Sequence, residues 1–260
     1  MSYALLTDRY ELTMVQAALQ SGKAKRDCVF EVFTRSLPAG RRYGVVAGTG
    51  RLLEAIRDFR FTGEDIAYLQ EHSIVDVETL NYLIDYKFTG RIEGYREGEL
   101  FFEGSPVFTV TAPFGEAVVL ETLILSILNH DSAIASAAAR MDSVAQGRSL
   151  VEMGSRRTQE QSAVASARAA YIAGFDATSN LQAGKQWGIP TMGTSAHSFT
   201  LLHDSEEEAF KAQVAALGVE TTLLVDTYDI KKAVDLAVKI TKGKVAAVRI
   251  DSGDLAATAE

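Results

Sequence analysis

The sequence predicts an α/β protein: an N-terminal α+β domain over residues 1–114, then a helical bridge and the first part of an irregular, incomplete β/α barrel over residues 115–260. Three observations predict it. Short apolar runs recur after residue 148 with helically spaced stretches between them, the alternation that builds a parallel sheet. Each run is followed at its C-terminal end by a polar cluster, where a β/α barrel carries its active-site face. Before residue 115, helical spacing and strand alternation are mixed and punctuated by Gly and Pro.

Residues 2–20 partly follow helical spacing through Leu5, Leu6, Leu12, Val15 and Leu19, with Thr7 or Asp8 as cap and Gly22 as stop. Residues 29–33 alternate as a strand, residues 51–59 return to helical spacing, and residues 90–110 supply strand pieces between Gly94, Gly98, Gly104 and Pro106. Beyond Pro113 and Gly115, residues 116–130 read as an apolar helix and residues 132–146 as a second, alanine-rich helix suited to close packing. Strands are expected at residues 149–153, 174–177, 189–192, 222–225 and 245–250. Helices are expected between them at 158–173, 180–187, 205–217 and 230–242, with Gly174, Gly188, Gly218 and Gly243 at or near their ends. Five strands cannot close such a barrel, and residues 256–260 read as the inside of a further helix. Either the remaining strands lie on residues absent from this sequence or the sheet is open.

The bulk numbers exclude several classes. With 260 residues, 47% of them hydrophobic, the chain can bury a large core. A formal charge of -8 and a pI near 5.2 disfavour nucleic acid and anionic lipid as partners, so cations for an anionic substrate must be concentrated locally. One cysteine, Cys28, permits neither an internal disulfide nor a thiolate metal cage and fits a reducing compartment. Charges come too early for a signal peptide, and the apolar run 117–128 is broken by Glu121 and too short to span a bilayer, so the expectation is a soluble, cytoplasmic protein. No metal-ligand residue is assigned, and a zinc enzyme is not expected, since neither H-E-x-x-H nor a histidine pair at i, i+4 occurs.

The clusters at the strand ends carry the chemistry. Arg156 and Arg157, at a strand end beside a helix start, suit bidentate phosphate binding, although alone they would pass as surface cations. Arg249 sits inside an apolar run, where an unpaired charge is costly. Asp226 and Asp251 end successive strands and could hold a sugar diol or a magnesium-bound pyrophosphate, whereas Asp229 and Asp254 are placed to cap helices. His197 follows Gly193-Thr-Ser-Ala196, a small-residue loop that admits a ligand; His72, His130 and His203 have no such setting. Gly48 and Gly50 lack a full phosphate-loop pattern, and a strand-to-helix turn explains them better.

Taken in order, Leu5-Leu-Thr-Asp-Arg-Tyr-Glu-Leu-Thr-Met14, Phe30-Glu-Val-Phe-Thr-Arg-Ser-Leu-Pro38, Glu152-Met-Gly-Ser-Arg-Arg157, Gly174-Phe-Asp-Ala-Thr-Ser-Asn180, Gly193-Thr-Ser-Ala-His197 and Val248-Arg-Ile-Asp-Ser-Gly253 resemble the motifs of the nicotinate phosphoribosyltransferases. The resemblance implies a homodimeric type II phosphoribosyltransferase with sites shared between subunits, joining nicotinate to phosphoribosyl pyrophosphate in NAD biosynthesis. It implies that Tyr10 reaches the partner's site and stacks on the pyridine ring, that Met153 covers the other face where many relatives have phenylalanine, and that Phe175, Thr178, Ser179 and Asp226 contact substrate. Arg156 and Arg249 would lie near phosphates and carboxylate, and Asp251 near the ribose. His197 would be phosphorylated by ATP, and magnesium would accompany the pyrophosphate. The family continues into further strands and a glycine-rich 5′-phosphate loop, so the resemblance implies a C-terminally truncated chain. The rival readings are a nicotinamide or quinolinate phosphoribosyltransferase, and a non-catalytic homologue that only binds ligand. Related nicotinamide enzymes carry an aspartate where Ser179 stands, and a hydroxyl, unlike a carboxylate, can donate to nicotinate.

Overall fold

In the computed structural model, which describes residues 3–259, the first helix begins at the cap that the sequence offers. α1 spans Arg9–Gln20, with Asp8 extended at its N-cap; Ser2, the expected start, lies outside the described residues. Leu12, Val15 and Ala18 give it a buried stripe, and Gly22 turns the chain away at φ 69°. Five strands follow before residue 114: β1 (Asp27–Val32), β2 (Gly44–Val45), β3 (Arg91–Gly94), β4 (Leu100–Phe101) and β5 (Phe108–Pro113). The first, third and fifth form an antiparallel sheet of order β1-β5-β3, with Phe30 opposite Val110 and Ile92 opposite the same valine; β2 pairs antiparallel with β4.

Helices α2 (Thr49–Arg57), α3 (Gly63–Glu71) and α4 (Val77–Ile84) lie between these strands. The last two were not anticipated, although their caps are local: Thr62 and Asp65 form a reciprocal capping box, and Asp76 accepts from the Thr79 N–H. Phe59, Phe61 and Tyr86 pack edge-to-face beneath them, and Leu52, Leu69, Leu83, Phe108 and Val110 complete a core that α1 and the next helices close.

After α5 (Phe114–Ala117) and one 3-10 turn comes α6 (Glu121–Ala145), a single helix of 25 residues where two were expected. Asp131, which lies between the two expected helices, belongs to the core. Asp131, its side chain 1% exposed, accepts from Arg51 Nη2 at 3.0 Å and Nε at 3.2 Å, and its Oδ1 lies 2.9 Å from His130 Nδ1. A paired carboxylate is tolerated inside a helix packed on both sides, so no turn is required. The helical run Phe114–Ala145 is long and apolar enough to cross a membrane by composition, but half of its apolar window is buried in the fold, which accounts for the apolarity by core packing.

The chain divides into two compact units, Met1–Thr191 and Met192–Glu260, and not at residue 114. The reason lies in α6, which packs against β2 and α2 and also against the helix that follows, α7 (Glu160–Ile172), so the expected bridge is shared core. Ala163, Ala165, Ala167, Ala169 and Ala170 of α7 are all buried, which lets the two backbones approach closely.

In the first unit β6 (Val151–Glu152) pairs parallel with β7 (Ala177–Thr178), and Thr178 forms one parallel bridge to Thr191, all that remains of the third expected strand. α8 (Leu181–Trp187) follows β7. The second unit holds α9 (His197–Leu201), α10 (Glu206–Leu217), β8 (Thr222–Leu224), α11 (Ile230–Thr241), β9 (Ala247–Arg249) and α12 (Leu255–Ala259). β8 and β9 are parallel, and Phe210, Leu223, Val225, Ala233 and Ala237 form that unit's own core. The class is mixed α/β, with two short parallel pairs of the kind expected.

Replacing Asp131 strands Arg51 beside a buried helix face. Asp131→Ala is expected to lower unfolding free energy by about 3 kcal/mol, the low end for a broken buried pair because Arg51 keeps some water access. An unchanged urea midpoint would show that the pair contributes nothing.

Candidate active site

In the second unit the ladder carries on from β8 through Val225, whose N–H donates to the Arg249 carbonyl at 3.1 Å, and Asp226 emerges one residue later. Its side chain is only 2% exposed and is completely engaged. Oδ1 lies 3.1 Å from His197 Nε2, while Oδ2 accepts the Asp251 N–H at 2.8 Å and the Ser252 hydroxyl at 2.6 Å. Burial pushes the Asp226 carboxyl up, but the hydrogen bonds from Ser252 and Asp251 and the interaction with His197 outweigh it and hold the group below the usual range. His197 opens α9, and its Nδ1 has no hydrogen-bond partner among the described residues.

Arg249, the cation expected to need a partner, has several. Nη1 donates to the Thr194 hydroxyl at 2.6 Å and, at 3.4 Å, to the Ser195 carbonyl; Nη2 donates to Asp251 Oδ1 at 2.5 Å. The fork therefore ties the Gly193–His197 loop to the end of β9, and His197, Asp226, Arg249 and Asp251 form one connected cluster. Thr194 and Ser252 are the parts that sequence reading passed over, because a serine or threonine in a loop carries no signal until its partner is known. Asp229 and Asp254 cap helices through the Lys232 and Ala257 N–H groups, as expected.

In the first unit the organising group is Glu152, which the sequence reading left unassigned. Its carboxylate accepts from the Gly154 N–H at 2.5 Å and from the Thr178 hydroxyl at 2.8 Å, and its carbonyl accepts the Ser179 N–H at 2.9 Å. Thr178 is wholly buried, and its oxygen also accepts from the Asn180 N–H. Asn180 caps α8 and donates to the Ser155 hydroxyl at 3.0 Å. The network leaves Met153 and Arg156 exposed in or beside the 3-10 turn Gly154–Arg157, Phe175 half-buried, and the Ser179 hydroxyl without a partner among the described residues.

Tyr10 lies elsewhere in that unit. It is 47% exposed, its hydroxyl 3.4 Å from Glu121 Oε1, on the wall of a cleft of about 720 Å³ that also presents Asp8, Phe33, Arg35, Arg41 and Leu125. None of Met153, Arg156, Phe175 or Ser179 lines it. Sequence reading missed Arg35 and Arg41, although Arg35 sits within a motif it had quoted. The glycine turn at Gly48 is structural: Gly48 has φ 95°, its N–H donates to Glu97 at 2.7 Å, and a Cβ there would meet Asp131 at 3.0 Å. Glu97 is in turn clamped by both Arg168 Nη groups at 2.7 Å.

Residues 5–129 match the family model described as the nicotinate phosphoribosyltransferase (NAPRTase) N-terminal domain. Nicotinate phosphoribosyltransferase pncB1 of Mycobacterium tuberculosis is 58% identical over 259 residues, covering 96% of this chain and 57% of that protein. The chain belongs to the nicotinate phosphoribosyltransferase family. The Bacillus subtilis nicotinate phosphoribosyltransferase is 37% identical, with 98% of this chain and 53% of that protein covered. The crystal structure of human nicotinic acid phosphoribosyltransferase superposes with a TM-score of 0.86 at 27% identity, covering 97% of this chain and 62% of that one. The chain thus spans about 57% of the length of its more similar curated relative.

The depressed Asp226 carboxyl makes a pH prediction. Because its folded pKa lies below the unfolded value of about 3.9, its stabilisation is fully present above that value and is lost as pH falls through the folded one. Thermal melts should therefore show wild type and Asp226→Asn separated by a constant interval at neutral pH, the gap narrowing below about pH 4. A gap that widens on acidification would contradict the assignment.

Proposed function

We propose that this chain carries the nicotinate and phosphoribosyl pyrophosphate sites of a nicotinate phosphoribosyltransferase of NAD biosynthesis, acting in the cytoplasm as a homodimer with shared sites. Each parallel pair is read as a segment of an irregular β/α barrel. The observation that carries the proposal is the cluster joining His197, Asp226, Arg249 and Asp251 at the ends of two parallel strands, where a barrel places its chemistry.

In the reaction the pyridine nitrogen attacks the anomeric carbon of phosphoribosyl pyrophosphate; the N–C bond forms as the C–O bond breaks, and pyrophosphate departs with the electron pair. The nitrogen has its own lone pair, so no strong base is needed, and positioning with charge stabilisation supplies the catalysis. Magnesium bound to the pyrophosphate of the substrate would supply charge neutralisation of the leaving group. Arg156, exposed and without a partner among the described residues, is assigned to phosphate or carboxylate. Arg249 is already oriented by Thr194 and Asp251, which makes it a preset anion donor, and Asp251 is assigned to the ribose hydroxyls. Met153 and Phe175 are assigned to the pyridine ring, Met153 through a sulfur-aromatic contact. Thr178 serves by positioning, since its hydroxyl is committed to Glu152.

The Ser179 hydroxyl, free to donate, favours an acid over an amide substrate. Quinolinate, with two carboxylates, would ask for more cations than these strand ends offer. ATP is assigned to His197. The Asp226 carboxylate favours the imidazole proton on Nε2, leaving the lone pair on Nδ1 as the nucleophile for the γ-phosphoryl group, with ADP as leaving group. The phosphohistidine adds up to about two negative charges beside Arg249 and Asp251, enough to reorganise binding there, and its hydrolysis returns the free imidazole and phosphate.

Tyr10 is assigned to the site of a second subunit, and its separation from the other ring-binding residues supports this, as do the Arg35 and Arg41 cations that share its cleft. That cleft is then the half-site lent to the partner.

The deciding measurement is formation of nicotinate mononucleotide by this chain from labelled nicotinate, phosphoribosyl pyrophosphate and magnesium, with and without ATP. ATP-stimulated product is the expected result, and binding of neither substrate would refute the reading. His197→Ala should abolish the ATP stimulation while sparing slow ATP-independent synthesis; stimulation that survives would remove the phosphohistidine. Tyr10→Ala should weaken nicotinate binding about tenfold, the value of roughly one aromatic contact, and calorimetry showing undiminished affinity would argue against the shared site.

A further inference from the structure

Beneath the wall that carries Tyr10 lies a fully buried acid, Glu11. No cation pairs with it among the described residues. Its carboxylate is held by the Thr7 hydroxyl, by the Thr122 hydroxyl at 2.5 Å and by the Thr122 N–H at 3.0 Å. Burial pushes the carboxyl up; the threonine hydrogen bonds pull it down and Glu121 repels it, and the balance lies above the usual carboxylate range. A site that needed only packing would hold leucine at less cost.

The placement of these bonds shows what the acid achieves. Thr7, just before α1, and Glu11, in its first turn, flank Tyr10, and Thr122 follows Glu121, which accepts from the Tyr10 hydroxyl at 3.4 Å. The Thr122 hydroxyl also lies 3.3 Å from Asp8, another residue of the cleft wall. The start of α1 is thereby stapled to the start of α6 directly under Tyr10. We propose that Glu11 is a positioning residue for Tyr10, fixing the turn from which the phenol projects into the cleft, and that it acts through hydrogen-bond geometry and not through its charge.

Two of the three donors are hydroxyls, which can donate or accept, and only the Thr122 amide is committed to donating. A side chain that keeps one acceptor oxygen for that amide and offers a donor to Thr7 therefore preserves the staple. Glutamine does so. Leucine fills the space but strands the Thr122 N–H.

The inference rests on the reading of Tyr10 as a ligand contact, and the test separates the two. The chain is labelled with 3-fluorotyrosine, the Tyr10 fluorine resonance is assigned by its loss in Tyr10→Phe, and nicotinate affinity is measured by calorimetry on the same samples. In Glu11→Gln the Tyr10 resonance should keep its position and width, and affinity should stay within about twofold of wild type; in Glu11→Leu the resonance should shift or broaden, and affinity should fall about tenfold, the scale of one lost hydrogen bond. Should Glu11→Leu not fold, Thr122→Val, which removes one hydroxyl and keeps the amide, is expected to shift the resonance. A Tyr10 resonance indifferent to the folded variants overturns the proposal, and glutamine as disruptive as leucine overturns the claim that geometry suffices. If the resonance responds as expected while nicotinate binds no variant, wild type included, the positioning role stands and the functional reading falls.

Discussion

The structure depends on a carboxylate at the end of one parallel strand satisfying the loop that follows its neighbour. Asp226 does this for Asp251 and Ser252 in the second unit, and Glu152 does it for Thr178 in the first. Short parallel pairs leave backbone and hydroxyl groups at their C-terminal ends for which a neighbouring carboxylate is a strong acceptor. A charged acceptor shared between two loops contributes more than a neutral one and fixes both loops at once. The strand-end residues assigned to catalysis hang from these two groups: His197 from Asp226, Arg249 through Asp251, and the exposed Met153 and Arg156 and half-buried Ser179 around Glu152.

This arrangement divides labour between residues that hold and residues that act. Asp226, Glu152, Thr178 and Asn180 have their polar atoms committed internally, whereas Arg156 and the hydroxyl of Ser179 are left available. The Glu97–Arg168 and Asp131–Arg51 pairs serve the first unit similarly, joining loop, helix and helix inside the protein. Buried charge is thus used repeatedly to join elements that are distant in sequence, and the cost of burial is offset by bidentate geometry or by several donors.

Much was legible beforehand because it is local. Four of the five strand positions, the helices between them and the caps Asp229 and Asp254 follow from apolar runs, spacing and short-range hydrogen bonding, all of which act within a few residues. The reading failed where a distant partner decides. The interruption expected between the helices at 116–130 and 132–146 is absent because Arg51 pairs with the buried Asp131 and α6 is packed from both sides. Among the candidate site residues, His197, Arg249 and Asp251 stand out in the sequence by their place beside or within apolar runs, whereas Thr194, Ser252, Glu152 and Arg35 gain meaning only from what they touch or line.

The sequence by itself determined the mixed α/β class, the alternation of helix and strand after residue 148 and the family motifs, since periodicity, turn residues and short motifs are properties of neighbours along the chain. Tertiary structure alone decided which polar side chains are spent on holding loops and which remain free for a ligand. It also decided that, within the first unit, Tyr10 faces a cleft that Met153, Arg156, Phe175 and Ser179 do not line. The physical reason is that a hydrogen bond or ion pair is set by distance in space, and residues as far apart as 51 and 131, or 11 and 122, meet only once the core has brought their helices together.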